Sequence, residues 1–237
     1  MYSIINIANE QNVKSTMIDT LLSHIAPHHC CGCGIIGTLL CDNCKYDISS
    51  EAFSACIACG SLAGPAGICN LCVVPYSRAW CAGERSGALQ RLIGTYKFQN
   101  AQDGYKLLGG LLLERIGHLP KETVVVAIPT VSSHIRQRGY DHAQLIAKYF
   151  AKKRGHKVEQ PLQRVTSTKQ RQATKAQRMT QAKSAFGLKG VINPDVPYLL
   201  IDDVVTTGAT IKYAAQLLKD NGAGEIWVAA IARQPLD

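Results

Sequence analysis

The stretch Tyr198–Thr210, YLLIDDVVTTGAT, decides how the chain is read. Tyr198–Ile201 has the length and texture of a strand buried on both faces. Two adjacent carboxylates, Asp202 and Asp203, close it, and Val204 leads into a turn of Thr206, Thr207, Gly208, Ala209 and Thr210. Ile211–Asp220 then reads as a helix, stopped by Asn221–Gly222. A hydroxyl- and glycine-rich turn at a helix start offers backbone N–H groups and threonine hydroxyls to a monoester phosphate. Gly208 permits close approach there. Asp202 and Asp203 are placed to hold sugar hydroxyls, directly or through Mg2+. An Asp cap followed by a polar turn is the bland alternative. It does not account for two carboxylates side by side at the end of a buried strand.

Working outward, Val124–Ile128 (VVVAI) and Ile226–Ile231 are two more short apolar runs. Ala88–Tyr96, Tyr105–Ile116 and His142–Lys153 carry helical periodicity between them. Apolar strands separated by helices indicate an α/β fold: a parallel sheet with helices on both faces and a binding crevice at the strands' carboxyl ends.

The cysteines lie elsewhere. Nine of ten fall between Cys30 and Cys72, and the tenth is Cys81. Four CxxC pairs, Cys30/Cys33, Cys41/Cys44, Cys56/Cys59 and Cys69/Cys72, read as two sites of four thiolates each. Gly32, Gly34 and Gly60 suit the tight knuckles that wrap a metal. The reading adopted is structural zinc; iron–sulfur ligation and disulfides are compatible with the same spacing. Pairing is open between a sequential and an interleaved order, and Cys31 competes with Cys30 for one ligand position. Closed four-cysteine sites leave no position for substrate, so the module's expected role is folding and docking, with nucleic-acid contact as the sharper alternative. Cys81 reads as a small buried hydrophobe.

The domain organisation expected is residues 1–27 as an amphipathic helix, 28–75 as the cysteine module and 76–237 as the α/β domain. In the first, Met17, Ile18, Leu21, Leu22 and Ile25 recur at helical spacing before Pro27. The start MYSIINIANEQNVK lacks a basic segment followed by an apolar core, so a cytoplasmic location is expected. No run of 18 apolar residues exists to span a membrane.

The formal charge of +9 is unevenly spread. Residues 134–189 hold 14 Lys or Arg against Asp141 and Glu159, a net +12, while the other 181 residues sum to −3. Ordinary surfaces intermix signs, so this belt points to a polyanion or phosphate ligand. Within it, Arg164–Ala185 reads as a polar loop in which Arg171, Lys175, Arg178 and Lys183 are the candidate nucleic-acid contacts. No helix-turn-helix or reading finger is visible, which argues against sequence-specific duplex recognition. Tyr96, Phe98, Tyr105 and Tyr140 are the aromatic candidates for base stacking, with core packing as the commoner use. His142 has the chemistry of a general acid or base, but an ordinary core or surface histidine is the commoner outcome.

These motifs resemble the ComF family, competence proteins of the ComFC and GntX-like kind, over roughly residues 17–235. Tyr96-Lys97-Phe98, Ala127-Ile128-Pro129, Arg136-x-Arg138-Gly139-Tyr140 and above all Thr206–Thr210 carry the resemblance. Asp141-His142 stands where the family commonly has Asn-Gln. Gln172 and Arg178 align with a later element in which Gln181 replaces an asparagine. The resemblance implies a type I phosphoribosyltransferase-like domain behind an N-terminal zinc module. It further implies that Asp202, Asp203, Val204, Thr206–Thr210 and Lys97 bind phosphoribosyl pyrophosphate with Mg2+. Asp202, Asp203, Arg136 and Arg138 are the catalytic candidates, the arginines facing the diphosphate. Three functions follow as expectations: single-stranded DNA handling in natural transformation, beside a helicase or channel of DNA uptake; active phosphoribosyl transfer to a base; or ligand sensing without turnover.

Overall fold

A computed structural model of the protein describes residues 28–99, 101–165 and 185–235. The N-terminal segment 1–27, with its expected amphipathic helix, lies outside the described residues. So do Arg171, Gln172, Lys175, Arg178, Gln181 and Lys183 of the basic loop.

In chain order the elements are α1 (Asp42–Ser50), β1 (Arg78–Glu84), α2 (Gly87–Phe98), α3 (Gly104–Arg115) and β2 (Val124–Ala127). There follow α4 (Ser132–Arg138), α5 (His142–Arg154), β3 (Lys157–Glu159), β4 (Leu162–Arg164) and β5 (Phe186–Leu188). The last three are β6 (Tyr198–Val205), α6 (Ala209–Asp220) and β7 (Ile226–Arg233). Five strands form one sheet in the order β1-β7-β6-β2-β3, every pair parallel. The antiparallel pair β4–β5 stands apart. No helix among the described residues is long and apolar enough to cross a membrane.

Strand alternation builds two cores. Val125, Ala127, Leu199 and Ile201 face one side, where they meet Leu92, Leu108, Leu112, Ile146 and Phe150 from α2, α3 and α5. Val124, Val126 and Leu200 face the other, against Ile211, Ala214 and Leu218 of α6. The expected parallel sheet with helices on both faces is therefore present, and the VVVA and YLLI runs are continuous because both faces are covered.

The cysteine segment is built into these cores. Cys30, Leu39, Leu40 and Cys44 join the first and Ile57 joins the second. Arg115, at the end of α3, donates to the carbonyls of Ile48 and Ala82, at 3.1 Å each, and to that of Glu51. It thereby pins α1 to β1.

Two differences from the sequence reading matter for the site. First, β6 does not end at Ile201 but runs on to Val205, so Asp202 and Asp203 lie inside the strand. The reason is its neighbour: β7 pairs with it through Asp202↔Ala230, Val204↔Ala232 and Val205↔Arg233. Second, Arg136-x-Arg138, to which the sequence reading assigned no element, is the end of the short helix α4, which Gly139 terminates in a left-handed conformation.

Candidate functional site

Three separated segments meet at the carboxyl end of β6. Lys97, near the end of α2, reaches Asp203 with Nζ 2.6 Å from Oδ2, and both side chains are largely buried. The flanking residues hold α2 in place. Tyr96 is fully buried and its hydroxyl donates to the carbonyl of His142 at 3.0 Å, while the Tyr140 hydroxyl donates to the carbonyl of Tyr96. The Arg138 guanidinium lies 4.9 Å from the ring centre of Phe98 and 3.5 Å from Nδ1 of His142. Tyr-Lys-aromatic is thus a tripartite latch: Tyr96 anchors, Lys97 meets the carboxylate and Phe98 supports Arg138. Arg136 is exposed on α4 and does not join this cluster.

His142 is fully buried, its ring centre 4.7 Å from that of Tyr96 and 4.6 Å from that of Tyr140. Burial, with the nearby Arg138 charge second, pulls its pKa down to about 4. It is a neutral core histidine, the commoner of the two readings. Asp141 caps α5 by accepting from the Gln144 N–H at 3.2 Å, and it also accepts from the Thr130 hydroxyl at 2.9 Å. Aspartate caps as well as asparagine, which explains why the departure at this position leaves the local structure intact.

Asp202 is electrostatically the opposite case. Burial and, second, the Asp203 charge raise its pKa to about 7, against the backbone N–H of Asp203 and the Lys97 charge. From the ordinary carboxylate value up to about 7 the folded protein keeps a proton that the unfolded chain has released. This carboxyl therefore lowers stability as pH rises through that window. A cation or a ligand that needs the carboxylate must expel the proton. The affinity of any cation that needs this carboxylate ionised, Mg2+ being the probe, should accordingly rise by up to about tenfold per pH unit below 7 and level off above it. A calorimetric titration series from pH 5.5 to 8.5 tests this, and a flat profile excludes it.

Behind the acids comes the turn. Gly208 has φ +73 and opens α6, Thr206 is exposed, and Thr207, Ala209 and Thr210 are half-buried. The Ala209 N–H points at the Thr207 hydroxyl, 3.5 Å away. The first N–H groups of a helix have no partner within it, so this end can receive an anion. Gly208 is required for a second reason absent from the sequence reading. A Cβ there would lie 3.1 Å from the carbonyl oxygen of Ala58, in the second cysteine knuckle. A cavity of about 310 Å³ lies beside this contact, lined by Ala58, Cys72, Val74, Thr207, Gly208 and Lys212 among others.

The cysteines assemble sequentially. The sulfurs of Cys30, Cys33, Cys41 and Cys44 lie within 4.8 Å of one another, as do those of Cys56, Cys59, Cys69 and Cys72. None is in a disulfide. The Cys33–Cys41 and Cys59–Cys69 Sγ distances are 3.7 and 3.5 Å, close to the ~3.8 Å edge of a tetrahedron with ~2.3 Å zinc–sulfur bonds. Backbone N–H groups of Gly32 and Cys41 point at Cys30 Sγ, 3.4 and 3.3 Å away, as befits a thiolate. Both clusters therefore could hold a metal ion, and the donor set fits zinc. Cys30, not Cys31, takes the ligand position; Cys31 lies 3.8 Å from the Thr95 hydroxyl instead. Cys81 is buried, donates to the Gly83 carbonyl at 3.2 Å, and is pushed up to about 12 by burial. It is the small hydrophobe expected.

A parallel sheet carrying paired acids and a threonine–glycine turn at its carboxyl edge defines a phosphoribosyltransferase-type domain. The phosphoribosyl transferase domain family matches residues 97–236. Competence protein F of Haemophilus influenzae is 31% identical over 211 residues, covering 82% of this chain and 90% of that one. The DNA utilization protein YhgH of Salmonella typhi is 28% identical over 206 residues, with the same coverage. Competence protein ComFC of Bacillus subtilis is 32% identical over 102 residues, 43% of this chain and 40% of that protein. The chain belongs to the ComF/YhgH family of competence and DNA utilization proteins, with a phosphoribosyl transferase domain.

Sequence reasoning placed Lys97 beside the acids through the family motif. It missed Arg233, the last residue of β7, whose side chain is buried and donates from Nε to the Ile57 carbonyl at 3.3 Å. A single arginine at the end of a strand has no local signature.

Proposed function

We propose that the chain is a cytoplasmic single-stranded DNA-handling protein of natural transformation that binds phosphoribosyl pyrophosphate with Mg2+. The observation that carries this reading is the meeting of Asp202, Asp203, Lys97 and the Thr206–Thr210 turn at one sheet edge, in a chain similar to competence proteins. Asp202 and Asp203 hold the ribose hydroxyls and the cation, and the turn receives the 5-phosphate. Arg138, packed on Phe98, faces the diphosphate, and Arg136, exposed on the same helix, approaches it from the solvent side. Mg2+ would neutralise diphosphate charge there. Zinc in the two cysteine clusters is structural. The +12 belt supports the DNA half of the reading, with Arg171, Lys175, Arg178 and Lys183 as its phosphate contacts and a helicase or channel of DNA uptake as partner.

The test titrates labelled single-stranded and duplex DNA at several salt concentrations, with and without phosphoribosyl pyrophosphate and Mg2+. Absence of single-strand binding at low salt sinks the DNA reading. Release of diphosphate with a particular base moves the protein into the class of active phosphoribosyltransferases. Changing Arg171, Lys175 and Arg178 together to Gln should lower the slope of log affinity against log salt by roughly 2, at ~0.7 per single-strand phosphate contact. An unchanged slope places the strand elsewhere.

A further inference from the structure

The second cysteine cluster touches the Thr206–Thr210 turn directly and is tied to the two elements that flank it. Between Cys56 and Cys59, the backbone of Ala58 presses on Gly208, and the carbonyl of Ile57 accepts from Arg233 Nε. Just after Cys72, the carbonyl of Val73 accepts from Lys212 Nζ at 3.0 Å, in the first turn of α6. The strand end closes the circuit. Arg233 is in register with Val205, and the next N–H, that of Gln234, donates to the Val205 carbonyl at 2.7 Å, directly before the turn.

The Arg233 guanidinium is also incompletely satisfied. Its Nη1 donates to the Gln234 carbonyl at 2.9 Å, but the buried Nη2 has no partner among the described residues. The buried Tyr76 hydroxyl is likewise unpaired. It feels both the Cys56, Cys72 and Cys59 charges and that of Arg233. Arg233 also lies against the second knuckle at Gly60, where an added Cβ would stand 2.9 Å from its Nη1 and 3.0 Å from its Nη2. Among the described residues the ties of the first cluster run elsewhere: to α2 through Arg91, which donates to the carbonyls of Cys31 and Gly32, and to α3 through Lys45–Glu114.

We propose that Arg233 and the second cysteine knuckle are positioning elements for the phosphate turn, so that phosphate binding depends on the second cluster and not on the first. The assignment of a phosphate to that turn rests on the function proposed above. The mechanical coupling does not, and the two fail separately.

The experiment compares the full chain with Cys33→Ser in the first cluster, Cys69→Ser in the second, and Arg233→Met with all thiols kept. Hydrogen exchange over Thr206–Lys212 is followed beside bound-metal content and binding of phosphoribosyl pyrophosphate with Mg2+. Cys69→Ser and Arg233→Met should each speed exchange in that peptide by about tenfold or more, and Cys33→Ser should leave it unchanged at temperatures where Val124–Ala127 in β2 stays protected. Binding should weaken at least about tenfold in the same two variants. If Cys69→Ser also exposes Val124–Ala127 in β2, that variant has unfolded and Arg233→Met decides alone. Unchanged exchange in metal-loaded Arg233→Met overturns the coupling. If the unaltered chain binds no phosphoribosyl pyrophosphate, the ligand assignment falls, and exchange still supports or overturns the coupling.

Discussion

Changing Asp202 and Asp203 together to Asn should abolish binding of phosphoribosyl pyrophosphate with Mg2+ while leaving metal in the cysteine clusters untouched. Hydrogen bonds to charged groups are each worth about 1.5–3 kcal/mol. Losing one at each carboxylate therefore weakens affinity by at least about 100-fold. Asn keeps the shape of the strand end, and retained hydrogen-exchange protection of Val124–Ala127 in β2 is the control that separates loss of charge from collapse. The single changes should differ in stability, because the carboxylates sit in different fields. Asp203 neutralises Lys97 inside a largely buried pair, and breaking such a pair from one side costs about 3–5 kcal/mol. Asp202 is held against ionisation, with its pKa raised to about 7, so Asp202→Asn should be neutral or stabilising at pH 8. Thermal unfolding of the two single variants at pH 8 separates them. Full binding by the double variant would remove the acids from the site.

Removing metal has the other large expected effect. Residues 28–75 contain only three buried apolar side chains besides cysteine: Leu39, Leu40 and Ile57. That is too little core to hold the segment by itself, and structural zinc contributes about 10 kcal/mol or more in comparable small modules. Elemental analysis should find two zinc ions per chain. A strong chelator should lower the melting temperature by more than about 10 °C, since each kcal/mol lost shifts it by roughly 2–4 °C in a chain of this size. Because Leu39, Leu40 and Ile57 also belong to the two main cores, melting of the cysteine segment should carry the sheet with it. A metal-free chain with an unchanged melting curve would assign the clusters no role in stability.

Much of this was legible in the sequence because the decisive signals are local. A four-residue apolar run, a pair of acids and a threonine–glycine turn can be read from thirteen adjacent residues. CxxC pairs announce themselves in the same way, and the structure resolved only their partnering and the choice of Cys30. What escaped is non-local or compositionally plain. β1, RAWCAGE, has no β-branched residue and is bounded by Arg78 and Glu84, yet it is a strand because β7 lies beside it. The extension of β6 through two acids runs against strand propensity and is imposed by the same neighbour. Lys97 finds Asp203 across more than a hundred residues, and only the Tyr-Lys-aromatic motif flagged it. Arg233 reaches Ile57 over a separation of 176 residues, a distance that no pattern in the chain encodes.

The strand order also bears on how the chain acquires its fold. β1 leaves the ribosome before every other strand of the sheet, yet its one partner there is β7, through pairs such as Arg78↔Trp227. Nearly the whole domain must therefore exist before the first strand can bond. Closing a loop of that length is entropically costly and slow, which leaves β1 with open edges during synthesis. The cysteine segment just ahead of it needs only local contacts to gather its thiols. A metal-tied clasp formed early would keep the waiting strand tethered, so refolding with zinc present should outpace refolding without it.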